Sequence, residues 1–591
     1  MRFNPLYESG NTIKRGRCKV YIDETNKRII DMHKIFDRIE NINKLEYYNL
    51  LNLREKIHGK LTGYNSEDCY IFTPKLTGSY EIICNGTDKL CAAICNEEKT
   101  DYINSSCVSN VKSIRLATTL KNYRNYYIKI NLMNSSKKNV MYTLNINYIE
   151  EPKNYYFKYQ WGLLNKKNGL DINILPVWKY TTGNGVKIGI ADTGTNYKHS
   201  DLINSINLKL SYNFVHESND IFPENEQDYK SAAKSGHGTH IAGIIGASQE
   251  EKCGMVGIAP DTELISLKIL GSKIENYPIY NDASDSFIKA IEYSKRHGIK
   301  IINCSFSGTK PSKAEREAML NSKDILFIIA AGNSGVDLGE IPQYPACYRI
   351  DNSIVVAAID KYGELYITSN YGGPTDIAAP GERILSTYLG NKYVYANATS
   401  SATPFVSAVC GLVWSLDNNL TPMDVKKRVV DKKNVTQLKN LNNKVLSGGI
   451  LNAYKAVVCS NIETVETKVK YPYPKSILSS DQFSNKYMTE YIGQRNNQGN
   501  LSEKTINKGV NDNEYIGELI VKLNSEVTIE NCLEHLEKDL VQNIVVKDYL
   551  KIIDAYVIKF DNINYADIAL DLLNSYSEVK YVEPNYKRTF Y

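Results

Sequence analysis

Three short motifs contain the residue types that nucleophilic attack on an acyl carbon requires. Asp192 ends the apolar run 188–191, His237 stands between two glycines, and Ser400 precedes a second apolar stretch. A serine hydroxyl alone is a weak nucleophile. A histidine can take its proton during attack, while a buried aspartate holds the imidazole tautomer and stabilises the imidazolium ion. Together the three residue types indicate a serine hydrolase.

A fourth motif could stabilise the negative charge that such an attack creates. Asn333 lies in the segment 330–335, directly after the apolar run 325–330. An asparagine side chain can donate a hydrogen bond to the oxyanion that forms in the transition state. Ser400 opens a predicted helix, whose free N–H groups favour the same charge.

Each motif also has a structural explanation when it stands alone. A single aspartate at a strand end is usually a cap, a single Gly-His pair is usually structural, and Thr-Ser is usually a helix cap. Four such motifs in one order are improbable by chance, so the catalytic interpretation is favoured. His199 and His240 belong to the same motifs and are interpreted as structural. The motif register makes Ser400, rather than its neighbour Ser401, the nucleophile.

The elements that position these residues are predicted to form an α/β domain over residues 155–459. Continuous apolar runs at 186–191, 264–267 and 325–330 are typical of parallel strands that are covered on both faces. Helical segments lie between them, for example residues 283–297. Because ligands bind at the carboxyl ends of such strands, Asp192 is expected at the active edge of the sheet.

Four further regions flank this domain. We predict an N-terminal helical segment over 1–55, a small antiparallel β-sandwich over 56–150, and a flexible linker over 460–514 that is rich in Asn, Ser, Lys, Gln and Gly. Residues 515–591 follow a β-α-β-β-α-β pattern, with Thr528 as the cap of its first helix.

The four motifs resemble those of the subtilisin-like serine proteases, or subtilases, which have the order Asp, His, Ser. The resemblance covers about residues 160–457 and includes the segments 257–260, 344–346 and 379–381. It implies a subtilisin-like α/β fold, the triad Asp192, His237 and Ser400, and Asn333 as the oxyanion donor. It also implies that Ser305, Phe306 and Ser307 form the strand that pairs with the substrate backbone.

Three positions depart from the family pattern. The family usually has glycine at the positions of Ala398 and Ser307, and methionine at the position of Ser401. The added side chains of Ala398 and Ser307 are expected to narrow the non-primed subsites. None of the three changes removes a catalytic atom.

The last 77 residues resemble the inhibitor-I9-like pro-peptide of subtilases, and residues 56–150 resemble pre-peptidase β-sandwich modules. In the family the pro-peptide precedes the catalytic domain and lays its C-terminal tail in the cleft. Here it follows the catalytic domain, so Phe590 and Tyr591 are predicted to form the inhibitory tail. Residues 515–591 carry 13 acidic and 8 basic side chains, and the remainder carries 63 basic and 53 acidic. Opposite net charges favour docking. The structural alternative is an unrelated ferredoxin-like binding module.

Composition excludes several other classes of protein. The net charge of +5 over 591 residues argues against nucleic acid as the main partner, and no run approaches 18 apolar residues, as a membrane span would need. No secretory signal is visible, so we expect synthesis in the bacterial cytoplasm, with later spore deposition or non-classical export left open.

The twelve cysteines are expected to be reduced and mostly buried. Cys84, Cys91, Cys95 and Cys107 fit no paired metal-binding pattern, so no metal site is predicted there. Catalysis should need no cofactor, and a structural calcium ion is left open.

These observations predict a serine endopeptidase that hydrolyses protein or peptide substrates and is kept latent by its own C-terminal domain in the active-site cleft. Two alternatives from other classes remain. One is a pseudoprotease that uses the fold for binding or signalling. The other gives the sandwich the leading role, as an adhesion or carbohydrate-binding module that the protease serves.

Overall fold

The chain forms two compact units, residues 1–148 and 149–591. The computed structural model describes residues 49–62, 67–87, 90–96, 102–107, 113–132, 139–223, 235–250, 254–271, 284–458, 488–490, 515–524, 527–540, 544–560 and 563–586. The predictions for residues 1–48, for most of the linker 460–514 and for the tail residues Phe590 and Tyr591 lie outside these described residues.

The first unit is a β-sandwich. Its strands are β1 (Asn49–Leu50), β2 (Ile57–Thr62), β3 (Glu67–Phe72), β4 (Gly78–Gly86), β5 (Leu90–Cys95), β6 (Tyr102–Cys107), β7 (Ser113–Leu120), β8 (Tyr126–Leu132) and β9 (Asn139–Tyr148). One sheet has the order β1-β3-β8-β5-β6 and the other the order β2-β9-β4-β7. Alternate residues of β9 point inward, and both sheets contribute to one apolar core. The predicted antiparallel sheets are therefore confirmed.

One cysteine of the sandwich departs from the expectation of reduced thiols. Cys91 on β5 forms a disulfide, and the residue opposite it in the register of the edge strand β6 is Cys107. The expectation of a reduced thiol was therefore wrong for Cys91. Cys84 and Cys95 are free and buried, and burial raises the pKa of Cys84 to about 12. The absence of a metal site there stays a prediction.

The second unit begins with a large α/β domain. Its strands are β10 (Lys187–Asp192), β11 (Tyr212–Asn213), β12 (Glu263–Lys268), β13 (Ile301–Cys304), β14 (Leu326–Ala330), β15 (Ser353–Ile359), β16 (Ile377–Pro380), β17 (Ile384–Tyr388), β18 (Lys392–Ala396), β19 (Thr436–Gln437) and β20 (Gly449–Ile450). Its helices are α1 (His237–Gly246), α2 (Ser284–His297), α3 (Lys313–Leu320), α4 (Thr399–Leu416), α5 (Pro422–Val430) and α6 (Ala453–Val458).

A nine-stranded sheet with the order β11-β12-β10-β13-β14-β15-β16-β20-β19 forms the centre of this domain. Every pairing in it is parallel except that of β19 with β20. The central strands β13, β14 and β15 are buried throughout, as strands covered on both faces must be. The predicted parallel α/β architecture is confirmed.

Helix α4 runs through the interior of this domain. It is the one helix in the described part of the chain that is long and apolar enough to cross a membrane, and 89% of it is buried inside the fold. A core helix passes the same test of length and composition. Its burial matters for the site, because Ser400 lies in its first turn.

The C-terminal module completes the second unit. Within the predicted linker the structure describes β21 (Met488–Glu490), which pairs with β18. The module itself comprises β22 (Tyr515–Leu523), α7 (Ile529–Leu540), β23 (Val545–Leu550), β24 (Ala555–Lys559), α8 (Ile563–Ser575) and β25 (Val579–Tyr586). Its antiparallel sheet has the order β23-β24-β22-β25. The predicted β-α-β-β-α-β pattern is confirmed, although β23 lies about four residues beyond its expected position.

Candidate active site

Asp192 and His237 form a hydrogen-bonded pair at the carboxyl edge of the sheet. Asp192 ends β10 and His237 begins α1. The Nδ1 atom of His237 lies 2.9 Å from both carboxylate oxygens of Asp192. The aspartate side chain is 1% exposed and the histidine side chain 13% exposed. The ring therefore has one nitrogen bound to the carboxylate and the other directed away from it, as a general base requires.

Two residues of these motifs hold the pair in place: Thr193, for which no role was predicted, and Gly238, one of the two glycines that flank His237. The Thr193 hydroxyl donates to the Ser235 carbonyl at 2.8 Å and accepts from the Gly238 amide at 3.1 Å. It thus ties the end of β10 to the start of α1. A Cβ atom on Gly238 would lie 2.3 Å from the Gly194 carbonyl oxygen, so only glycine allows this close approach.

Ser400 is the second residue of α4 and is 2% exposed. Its carbonyl oxygen accepts a 3.0 Å hydrogen bond from the Ser305 hydroxyl. The Asn303 side chain in turn donates to Ser305 at 2.9 Å and accepts from Ser407 of α4 at 2.9 Å. The end of β13 and the first turns of α4 are therefore fixed to each other.

Asn333 lies on the other side of the same helix start. Its Oδ1 atom accepts from the Thr399 amide at 2.8 Å, and the Thr399 hydroxyl accepts from the Gly332 amide at 3.1 Å. Because the side-chain oxygen is held by the helix, the Nδ2 group is the part of this amide that can donate to another oxygen. Asn333 thus lies against the residue that precedes Ser400.

The loop that carries Asn333 is shaped by a buried residue for which the sequence predicted no role. Asn370 is fully buried, and its Oδ1 atom accepts from the amides of Ser334 and Val336 at 2.9 and 3.1 Å. Its Nδ2 group donates to the Ala331 carbonyl at 2.9 Å. The contacts join positions more than 30 residues apart, so no local pattern could have indicated them.

The predicted substrate-binding segment follows β13, and its three side chains have different surroundings. Ser305 bonds to Ser400, as described above. Phe306 is 1% exposed and packs edge-to-face against Phe287 of α2, with ring centroids 5.1 Å apart. Ser307 donates to Gln343 at 3.4 Å. Because its side chain is buried, Phe306 could contact a substrate only through its backbone.

The two additional histidines bond to the main chain, in agreement with their interpretation as structural. His240 Nε2 lies 3.0 Å from the Ile384 carbonyl, and burial lowers its pKa to about 4. His199 Nε2 lies 3.1 Å from the Lys392 carbonyl, and burial lowers its pKa as well. Ser401 is also buried, one residue further along α4 than Ser400.

The C-terminal module packs against helices α2 and α3 of the α/β domain. Its inward apolar residues share one buried core with those two helices; they are Ile520, Leu550, Ile553, Ala555 and Val557. Ion pairs border this contact. Lys289 of α2 pairs with Asp548, while Lys522 and Lys547 of the module pair with Glu317 and Asp285. Both parts contribute positive and negative side chains to these ion pairs. The opposite net charges of the two parts therefore do not by themselves explain the contact.

Two polar residues of β25 meet the first turns of these helices. The Glu583 carboxylate accepts from the Ser312 hydroxyl at 2.6 Å and from the Lys313 and Ala314 amides at 2.7 and 3.0 Å. Asn585 accepts from the Asp285 amide at 3.1 Å and donates to its carboxylate at 3.0 Å. Each residue satisfies donors that the start of a helix leaves free.

No group of three or more His, Cys, Asp or Glu side chains in the described ranges has the arrangement of a metal site. The predicted tail residues Phe590 and Tyr591 lie beyond the last described residue.

Comparison with known proteins supports the identity of both parts of the second unit. A model of the subtilase family matches residues 183–453. A model of the fervidolysin N-terminal prodomain matches residues 502–585. A module that is N-terminal in fervidolysin thus stands C-terminal to the protease domain here.

Three relatives match the protease domain. M-protease of Shouchella clausii (strain KSM-K16) is 32% identical over 277 residues, which are 46% of this chain and 65% of the relative. Subtilisin Savinase of Lederbergia lenta is 32% identical over 277 residues, 46% of this chain and 91% of the relative. Thermitase of Thermoactinomyces vulgaris is 32% identical over 286 residues, 47% of this chain and 91% of the relative.

The chain thus spans less than two thirds of M-protease but nine tenths of Savinase and thermitase. The matched region contains the strand ends and helix starts that carry Asp192, His237, Asn333 and Ser400. On this evidence the chain belongs to the subtilase family.

Proposed function

We propose that this chain is a serine endopeptidase whose catalytic residues are Asp192, His237 and Ser400. The observation that carries the proposal is the His237–Asp192 hydrogen bond at 2.9 Å, next to a helix start that carries Ser400. In this proposal the Ser400 hydroxyl attacks the scissile carbonyl carbon and gives its proton to Nε2 of His237. Asp192 stabilises the imidazolium ion that results.

The remaining steps use the same groups. Asn333 Nδ2 donates to the oxyanion of the tetrahedral intermediate, and the free amides at the start of α4 favour its charge. His237 then returns its proton to the leaving amine, and water hydrolyses the acyl-enzyme. These side chains supply the nucleophile, the base and the oxyanion donor, so the proposed reaction needs no cofactor. The substrates are proteins or peptides.

Active-site labelling tests this proposal. An organofluorophosphate should modify the chain once its cleft is accessible, and peptide mapping should place the adduct on Ser400. The Asp192→Asn variant should label far more slowly, because the histidine tautomer is no longer fixed. An unlabelled, correctly folded chain would instead favour the pseudoprotease alternative. An adduct on Ser401 would contradict the assignment of the nucleophile.

The second part of the proposal is that the C-terminal module keeps the enzyme latent. Three described contacts support a path from this module to the cleft. Asn585 bonds to Asp285 in the first turn of α2, and Phe287 of the same turn packs against Phe306. Phe306 is the neighbour of Ser305, which bonds to Ser400. The end of β25 is therefore separated from the nucleophile by a short chain of contacts.

The remaining tail is long enough for the proposed inhibition. Five residues follow Tyr586, and an extended chain advances roughly 3.3–3.6 Å per residue, so the tail can reach on the order of 17 Å. In this proposal the backbone of the tail pairs with the segment Ser305–Ser307 and occupies the place of a substrate next to Ser400. Tethering would raise the effective concentration of the tail toward the millimolar range. Cutting the linker 460–514 would then activate the enzyme.

A charge-neutral change at the docking contact tests latency. Glu583→Gln keeps the shape of the side chain but removes the charge that three donors share. Charge-assisted hydrogen bonds exceed neutral ones by about 1–1.5 kcal/mol, so the uncut chain should gain roughly tenfold in activity toward a short peptide. Glu530→Gln, at an exposed position of α7, is the matched control and should leave the activity unchanged.

Two further measurements separate docking from the tail. After the linker is cut and the fragments are diluted, wild type and both variants should have equal activity. Deleting residues 587–591 should raise the activity of the uncut chain while the module stays docked. If the folded Glu583→Gln chain and the folded tail deletion both remain no more active than wild type, the module does not hold the enzyme latent.

A further inference from the structure

A buried glutamine joins the two segments that flank the nucleophile. Gln343 is 4% exposed, its Nε2 group donates to the Ser334 hydroxyl at 2.9 Å, and its Oε1 atom accepts from the Ser307 hydroxyl at 3.4 Å. Ser307 belongs to the segment that bonds to Ser400, and Ser334 follows Asn333. The amide of Gln343 therefore spans the space between these two segments.

The amide of Gln343 also lies against Gly332, the residue that precedes Asn333. A Cβ atom built on Gly332 would lie 2.2 Å from Oε1 of Gln343. The side chain of Gln343 therefore lies directly against the backbone next to Asn333. Gly332 has a φ of +98°, so a side chain at this position would be strained as well as crowded.

The backbone keeps Gln343 in this position. The next residue, Tyr344, exchanges two backbone hydrogen bonds of 2.8 Å with Gly308, which follows Ser307. The segments 307–308 and 343–344 are thus paired as neighbouring strands would be. Moving the amide of Gln343 would break its bonds to Ser307 and Ser334, and breaking bonds to a buried amide costs free energy.

The space matters because of where a substrate must lie if the proposed function is correct. The scissile carbon must lie at Ser400 and its oxygen near Nδ2 of Asn333. Ser305 holds Ser400 from one side, and Gly332 and Asn333 hold Thr399 from the other. The substrate residue that supplies the scissile carbonyl therefore lies between these segments, and its side chain must share their space with the amide of Gln343.

We propose that Gln343 restricts this enzyme to cleavage after small residues, such as alanine, glycine or serine. The inference rests on the proposed function and names its substrate class. A large aromatic side chain would have to displace a buried amide that has polar partners on two sides. A small side chain leaves the amide and its hydrogen bonds in place. Differences in pocket volume of this kind change kcat/KM by roughly 10- to 200-fold.

Two internally quenched peptides test the proposal. They are identical except for alanine or phenylalanine as the residue that supplies the scissile carbonyl. The full chain is activated by limited proteolysis within the linker, and kcat/KM is measured for both peptides. Wild type should prefer the alanine peptide by roughly tenfold or more. In Gln343→Ala this preference should fall at least tenfold, through faster cleavage of the phenylalanine peptide.

A matched control and a count of active sites make the result specific. Gln437→Ala makes the same change at an exposed position of β19 and should keep the wild-type preference. Organofluorophosphate titration gives the concentration of competent Ser400 in each preparation, so a partly misfolded variant is corrected for.

The outcomes separate this inference from the proposed function. If wild type is labelled and cleaves the phenylalanine peptide as well as or better than the alanine peptide, Gln343 does not restrict the site, and the proposed function stands. Equal losses on both peptides in Gln343→Ala would make the residue structural and overturn the inference. A folded wild-type chain that is neither labelled nor active would overturn the proposed function and this inference with it.

Discussion

Replacement of Ser400 by alanine is expected to lower kcat of the activated enzyme by roughly a million-fold, the cost of removing the catalytic serine in subtilisin. The variant retains the backbone and therefore the carbonyl that accepts from Ser305. The oxyanion donor also remains, so a residual rate of roughly 10³- to 10⁴-fold over the uncatalysed reaction should persist. Peptide hydrolysis in a purified, wild-type-free preparation measures both values.

Ser401→Ala is the matched control for this prediction. It removes the same hydroxyl one residue along α4, at a position that is also buried. It should keep kcat within roughly tenfold of wild type, and both variants should unfold within a few degrees of wild type. If Ser401→Ala loses the activity and Ser400→Ala retains it, the nucleophile has been assigned to the wrong serine.

The parts of this protein that could be predicted from sequence are those with a local signal. Asp192 lies at the end of an apolar run, and His237 opens a helix with glycine on either side. In both cases the flanking residues indicate the secondary-structure element and the position of the residue within it. The strand runs of the α/β domain and of the C-terminal module are likewise local patterns of apolar residues. In the α/β domain the alternation of these runs with helical segments also indicates a parallel sheet.

The residues that escaped prediction act through contacts between distant segments. Asn370 shapes the loop of Asn333, and Gln343 bonds to Ser307 across 36 residues. Asn585 meets Asp285 across 300 residues. Nothing in the flanking sequence of these polar residues distinguishes them from surface positions, because their partners are brought together only by the sheet order and by docking.

Strand β23 shows how such contacts also distort a local pattern. It was expected over residues 541–546 and is observed at Val545–Leu550. Lys547 and Asp548 make the second half of this strand look like a loop in sequence. In the structure both side chains form ion pairs with α2, to Asp285 and Lys289 respectively. Because these charged residues interrupt the apolar pattern, the pattern alone placed the strand too early in the sequence.

Replacement of Asn333 by alanine is expected to lower kcat by roughly 100- to 1000-fold with little change in KM. The reason is that Nδ2 acts on charge that develops only in the transition state, so it contributes little to binding of the uncharged substrate. The alanine variant also removes the acceptor of the Thr399 amide, which could disturb the helix start that carries Ser400. Steady-state kinetics with one short peptide gives kcat and KM separately.

Asn333→Asp distinguishes these two effects. An aspartate keeps an oxygen that can accept from the Thr399 amide, but it has no group that can donate to the oxyanion and places a negative charge beside it. If the donor is what matters, the aspartate variant should lose at least as much kcat as the alanine variant. If instead it regains most of the activity, the role of Asn333 is to hold α4. A tenfold rise in KM at unchanged kcat in either variant would mean that Asn333 binds the ground state, because only an interaction made equally with substrate and transition state acts on KM alone.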